Sequence, residues 1–341
     1  MQLTKQDTTA LKGIAICLML CHHMPLDGAL CWDFANSIKV TAKVCVAMFL
    51  FLSGYGLTKQ YFKIQKPYLK NTLKFVLQRY VKFFLPYWFC FAIIVLIGNL
   101  CGYTLHDAYP ATRNTLKCFF YDFWGQMEYN SYIKTWWFNK MILQLYLIFP
   151  LLFLLLRKCV LSIIGLATII LLQFLSMKIP GNLFLLTEGG IPAFYLGMLM
   201  AKYDIGTWAK LHIHPIALWI IILSIGAALC ITIPQLNPGL NTTILLRAFL
   251  AVTFAFIYSF LKTENAKMLP FIGKYATTMY LSHSLFLILI PQVLTWAKLP
   301  VVTYITLLAL SMSFAIMIEE LRKITHYYRL QKFIVNLTER I

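Results

Sequence analysis

Phe83-Phe84-Leu85-Pro86-Tyr87-Trp88-Phe89-Cys90-Phe91-Ala92-Ile93-Ile94-Val95-Leu96-Ile97-Gly98-Asn99-Leu100 runs for eighteen residues without a charge. As a helix it rises about 27 Å, close to the ~30 Å of hydrocarbon in a bilayer. The run is one of several: Leu143–Leu156, Val160–Leu175, Ile216–Ile233 and Thr242–Leu261 repeat the pattern. The chain is 60% apolar and 12% charged over 341 residues, about half the charge of a soluble domain. These blocks predict an all-α, polytopic membrane protein with about ten transmembrane helices, near 8–25, 40–58, 83–101, 137–156, 159–175, 189–201, 215–233, 242–261, 276–294 and 301–319. A single transmembrane domain is expected over 1–341, with no appended soluble domain.

A net charge of +18 does not point to nucleic acid once the charges are placed. With a cytoplasmic N-terminus, and each charge assigned to the nearer face, the inside segments hold 21 Lys and Arg against 6 acids. The outside segments hold 8 against 6, and Arg247 lies within a span. That asymmetry is the positive-inside pattern and puts both termini in the cytoplasm. The first apolar segment ends in Cys21-His22-His23-Met24-Pro25 without a small-residue cleavage site, so it is expected to be retained. Nine cysteines carry no CxxC or other metal spacing, so neither a metal nor a disulfide is expected. Most sit inside spans as small hydrophobes.

Two loops stand out. The inside loop Lys59–Lys82 carries Lys59, Lys63, Lys66, Lys70, Lys74, Arg79 and Lys82 and no acid. The outside loop Gly102–Trp136 is aromatic, with Tyr103, Tyr109, Tyr121, Trp124, Tyr129 and Tyr132. Such residues form an interfacial belt or stack on a sugar.

Polar residues within a bilayer are costly and tend to be functional. Here they are His22 and His23 in the first span, Glu188 opening the sixth, Arg247 in the eighth and His283 in the ninth. His23 lies 11 residues beyond Lys12 and His283 lies 9 beyond Lys274, or about 16 and 13 Å along a helix axis. If each basic residue marks the inner face, both imidazoles sit near mid-bilayer. They form either a reaction centre or a pair of buried histidines bonded to helix carbonyls or to each other. An imidazole, with an unperturbed pKa near 6.5, can take a hydroxyl proton or carry an acyl group. It tolerates a low dielectric better than a carboxylate does. His22 and His23 point about 100° apart on a helix, so only one of them faces the site.

Several segments together resemble the membrane-bound acyltransferase family 3. Lys12-Gly13-Ile14-Ala15-Ile16-Cys17-Leu18-Met19-Leu20-Cys21-His22-His23 is similar to its opening, a basic residue followed 11 positions later by an essential histidine, here His23. Met48-Phe49-Leu50-Phe51-Leu52-Ser53-Gly54-Tyr55 resembles its Phe-rich Leu-Ser-Gly-aromatic motif. Arg79-Tyr80-Val81-Lys82 before Leu85-Pro86-Tyr87 resembles its basic pair ahead of Pro-Tyr. Trp137-Phe138 with Tyr146 and Pro150, and Phe271-Ile272-Gly273-Lys274 through Tyr280-Leu281-Ser282-His283, complete the order. Departures are Lys12 and Lys82 where the family commonly has Arg, and Glu188-Gly189-Gly190 where it often has a basic residue before Pro192-Ala193-Phe194…Gly197.

The resemblance implies a membrane acyltransferase. It would move an acyl group, usually acetyl from cytoplasmic acetyl-CoA, to a hydroxyl of a cell-surface or lipid-linked glycan, in a bacterial cytoplasmic membrane. Its implied catalytic residues are His23, His283 and Tyr280. Arg79 and Lys82, with Lys12 and Ser53, would meet the CoA donor, though positive-inside anchoring also accounts for the lysines. Gly54 serves close helix packing or approach of the pantetheine arm. Arg247, Glu188 and Trp137 would meet the acceptor, Arg247 by neutralising an anion or by snorkelling outward. Asp27 or Asp33 either orients His23 or is a solvated loop residue. The rival readings are a transporter or flippase for a lipid-linked glycan, a polysaccharide polymerase, and a non-enzymatic membrane partner. No inverted pair of broken spans supports the first.

Overall fold

The computed structural model describes the chain apart from residues 1–2, 27–31, 65–68, 110–113, 128–129, 176–189, 215, 218, 222–223, 225–226, 229–240, 262–266, 297 and 341. All regular structure among the described residues is helical. The helices are α1 (Lys5–His23), α2 (Trp32–Ala42), α3 (Val44–Tyr61), α4 (Leu69–Leu100), α5 (Leu105–Ala108), α6 (Thr115–Phe123), α7 (Trp137–Leu155) and α8 (Cys159–Leu175). They continue with α9 (Gly190–Tyr203), α10 (Ile205–His212), α11 (Asn241–Leu261), α12 (Met268–Leu289), α13 (Pro291–Thr295), α14 (Pro300–Ile324) and α15 (Tyr327–Arg340). A 3₁₀ turn, Lys134–Trp136, leads into α7.

Among the described residues four helical segments are long and apolar enough to cross a membrane: Asp33–Tyr61, Leu69–Leu100, Lys134–Leu155 and Pro300–Ile324. Cys159–Leu175 and Thr243–Ser259 are shorter apolar helices. The expectation of about ten spans is therefore met only in part, and the physical reason is visible. α1 carries Lys12, His22 and His23, and α12 carries Lys274, Thr277, Thr278, Ser282, His283 and Ser284; these polar residues lower the mean apolarity of both helices. The expected span 215–233 lies largely outside the described residues. Leu147, Leu151 and Leu154 on α7 and Val160, Ile163, Ile164 and Leu171 on α8 are exposed. Such outward-facing apolar surface suits lipid rather than water.

The chain divides into two compact units. The first comprises Met1–His22, Asp33–Gln65 and Ile148–Ala276. α1 starts in a reciprocal cap: Thr4 Oγ1 accepts from the Asp7 N–H at 3.1 Å, and Asp7 Oδ2 accepts from the Thr4 N–H at 2.9 Å. Within this unit α3 packs on α9 and on α11. A Cβ on Gly54 would overlap the Phe194 carbonyl, and one on Gly197 would overlap the Phe51 carbonyl. α1 meets the start of α12 in the same way, Gly13 against the Leu269 carbonyl and Gly273 against the Thr9 carbonyl. Two pairs of opposed glycines thus bring backbones into direct contact, the arrangement by which helices associate where lipid supplies no hydrophobic drive. The four glycines are those of the resemblance segments, so Gly54 serves helix packing.

The second unit comprises His23–Trp32, Lys66–Leu147 and Thr277–Ile341. Its core is aromatic, with Tyr87, Phe91, Tyr109, Tyr132 and Trp136 buried together. Most of the basic stretch read as an inside loop is helical, because α4 begins at Leu69. Tyr103, Tyr109 and Tyr132 of the aromatic loop are packed or buried and hydrogen-bonded. Tyr132 Oη donates to the Tyr103 carbonyl at 2.8 Å, and Tyr109 Oη donates to Asp122 Oδ2 at 2.8 Å. Asp122, 1% exposed, also accepts from the Tyr132 N–H, and Tyr87 Oη donates to its backbone carbonyl. Burial pushes the Asp122 carboxyl up to about 7, against the pull of the donors of Tyr132, Tyr109, Ser131 and Tyr87.

Arg322, near the end of α14, is a second polar centre of this unit. Its guanidinium donates to Thr278 Oγ1 at 3.3 Å, the Pro86 carbonyl at 3.2 Å, Cys90 Sγ at 3.2 Å and Glu319 Oε2 at 3.4 Å. It lies over the Phe89 and Tyr327 rings, 5.5 and 5.4 Å from their centroids. One side chain so ties α4, α12, α14 and α15.

Candidate active site

α1 ends at its two histidines, and one residue of helical rotation sends them apart. His22 Nδ1 donates to the Lys39 carbonyl at 2.9 Å; a carbonyl only accepts, so that nitrogen carries the proton. His23, the first residue of the second unit, lays its ring against His283 of the same unit, centroids 5.1 Å apart and planes tilted by 42°. The pairing of His23 with His283 is thus present.

His283 is fully buried. Its Nδ1 lies 2.9 Å from the Tyr280 carbonyl and its Nε2 lies 3.0 Å from Ser284 Oγ. Ser284 Oγ lies in turn 3.0 Å from Thr135 Oγ1. The 3₁₀ turn and first turn of α7 grip this part of α12 at further points. Trp136 Nε1 donates to the Leu281 carbonyl at 2.9 Å. Tyr280 Oη, 3.0 Å from the Thr135 carbonyl and 3.2 Å from Asn139 Oδ1, shares its proton between two acceptors. Tyr280 is thus tied to the turn that carries Thr135. Trp136 is buried and makes the link to α12, whereas its neighbour Trp137, the residue singled out in the sequence, is half-buried.

The remaining candidates are spread over both units. In the second, Arg79 is half-buried on α4, its guanidinium 4.7 Å from the Phe75 ring centroid and within electrostatic reach of Tyr146; Lys82, one turn on, is exposed. In the first, Lys12 is exposed on α1. Ser53 donates to the Phe49 carbonyl at 2.8 Å, one turn back in its own helix. Arg247 on α11 is buried, with His22 and Cys45 within electrostatic reach. Glu188 and Asp27 lie outside the described residues, and Asp33 is exposed in the first turn of α2.

Thr135, Trp136, Asn139, Ser284, Arg322 and Asp122 were not singled out from the sequence. A double Trp ahead of the Phe, and a serine on either side of His283, were signals in plain view. Arg322 fell beyond the expected end of the last span. Among the described residues no three His, Cys, Asp or Glu gather as a metal site.

The arrangement is two imidazoles in ring contact, one locked into a hydroxyl-rich clamp, inside an apolar helical protein. It offers proton transfer at a nitrogen. The chain matches no curated protein and no solved structure. A family model described as an acyltransferase domain, Acyl_transf_3, matches residues 7–320 of the 341. The match takes in His23, the basic pair of α4, the Trp-Phe turn and His283, so this chain, a multi-pass membrane acyltransferase, belongs to the acyltransferase-3 family.

Proposed function

We propose that the protein transfers acetyl from cytoplasmic acetyl-CoA to a hydroxyl of a cell-surface or lipid-linked glycan, with both termini in the cytoplasm of a bacterial cell. The observation that carries the reading is the His23–His283 ring contact at 5.1 Å. In this reading a nitrogen of His23 takes the proton of the acceptor hydroxyl as its oxygen attacks the thioester carbonyl. The tetrahedral intermediate collapses with loss of the C–S bond, and the imidazolium returns the proton to the departing CoA thiolate. His283 and Tyr280 order the site around His23.

Arg79 and Lys82 bind donor phosphates, the guanidinium by paired hydrogen bonds and the ammonium as a point charge. Lys12 and Ser53 are the further donor-binding residues of this reading. Arg247 and Glu188 serve the acceptor, with Trp137 offering a ring for stacking. The positive-inside distribution of charge supports donor entry from the cytoplasm.

The test is turnover of labelled acetyl-CoA by membranes carrying the full chain. His23→Ala is expected to insert and fold while losing transfer by at least ~100-fold. Wild-type turnover by that variant overturns the reading.

A further inference from the structure

The proton order around His283 follows from chemistry alone. A carbonyl has no hydrogen to give, so the Nδ1 facing Tyr280 O at 2.9 Å carries one. In the neutral ring Nε2 then presents a lone pair, and Ser284 Oγ, 3.0 Å away, donates to it. With its proton so used, Ser284 Oγ meets Thr135 Oγ1 at 3.0 Å as an acceptor. Three groups form a directed chain, Thr135 to Ser284 to His283 Nε2. Thr135 belongs to the turn that also binds α12 through Trp136 and Tyr280. All of these residues lie in one unit.

We propose that Thr135 and Ser284 are positioning residues that hold His283 as the neutral, Nδ1-protonated tautomer, and through its ring contact fix the angle of the His23 imidazole. The proposal rests on the acyl-transfer reading above and divides the labour between the two histidines. Nε2 of His283 is engaged by a hydroxyl donor, so His283 orients and His23 takes the proton. A ring held by one nitrogen could turn about that bond; hydrogen bonds at both nitrogens stop it. Loss of the chain should therefore lower the rate of the chemical step and leave donor binding alone.

Kinetics with labelled acetyl-CoA in membranes carrying the full chain test this. Thr135→Val keeps the shape and removes the hydroxyl; Ser284→Ala removes the relay. Each is expected to lower kcat about tenfold or more, with KM for acetyl-CoA within about twofold of wild type. The conservative Thr135→Ser and Ser284→Thr should return kcat to within about threefold, and the double variant should be no slower than the slower single one. Unchanged kcat in Thr135→Val and Ser284→Ala overturns the proposal. So does equal loss in the conservative variants, or a rise in KM matching the fall in kcat, which marks a merely structural role. Wild type and His23→Ala run alongside separate the two failures. An active wild type, an inactive His23→Ala and wild-type-like relay variants sink the relay alone; no turnover by wild type sinks the acyl-transfer reading and the relay with it.

Discussion

The two units hold their own helices together by opposite means. In the first, helices meet where side chains are missing: Gly54 and Gly197 bring α3 and α9 together, and Gly13 and Gly273 bring α1 to α12. In the second, helices meet through large and polar side chains: Trp136 and Tyr280 join the turn before α7 to α12, and Arg322 ties four helices. Backbone contact between glycines leaves no room to adjust. A contact built from hydrogen bonds and rings can lose one member and keep the rest. The first arrangement suits a seam that must not move, and the second suits a site whose geometry is tuned group by group.

That contrast can be broken, starting at its strongest point. Gly54→Ala forces a methyl into the Phe194 carbonyl, where backbone rather than a flexible side chain must give way. We expect a loss of about 3 kcal/mol, read as a fall in Tm or loss of the purified protein. An Ala variant of wild-type stability would show that the seam yields. Gly56, on the same helix and open on its Cβ side, is the control, and Gly56→Ala should leave Tm unchanged or raised.

A smaller effect is expected in the outside loop. The Asp122 carboxyl stands at about 7, above its ordinary value, because it is buried. The folded state therefore binds this proton more tightly than the unfolded state does. The resulting stability is fully present below about pH 4 and is lost as pH rises through about 7. The Tm of the wild type should fall by a few degrees from pH 6 to 8, and Asp122→Asn, a neutral amide in the same place, should flatten that slope. An equal slope in the variant would assign the titration elsewhere.

The smallest effect sharpens the other side of the comparison. Trp136→Phe keeps a ring in the aromatic core and removes only the donor to Leu281, a loss of about 1 kcal/mol. Acyl transfer should drop only a few-fold. A collapse of the fold would show that the polar seam is as unforgiving as the glycine one.

What the sequence made legible follows the same division. The membrane class was written in the uncharged runs, and the two histidines that meet, His23 and His283, stood out in the string because a polar group among apolar neighbours is visible in one dimension. The glycines were visible too, although their pairing was not. Their partners come from distant segments, 54 with 197 and 13 with 273. Asp122 looked like any loop acid; its importance depends on Tyr87, Tyr109 and Tyr132, which only the fold collects. The Trp-Phe motif names Trp137, whereas the burial of Trp136 is settled by which face of the turn meets α12. Among the described residues length and apolarity alone support four of the expected spans, since polar residues dilute α1 and α12 and the stretch 215–233 lies largely outside the described residues.

Each site histidine trails the motif glycine of its own helix by the same interval, ten residues from Gly13 to His23 and ten from Gly273 to His283. The helix between them acts as a gauge rod. Adding one residue to α1 alone would advance His23 by about 1.5 Å and swing it about 100° off its bearing, with Gly13 still seated. The length of this apolar stretch is therefore a constraint in its own right: a substitution along the rod changes one contact, whereas an insertion or deletion displaces the histidine itself.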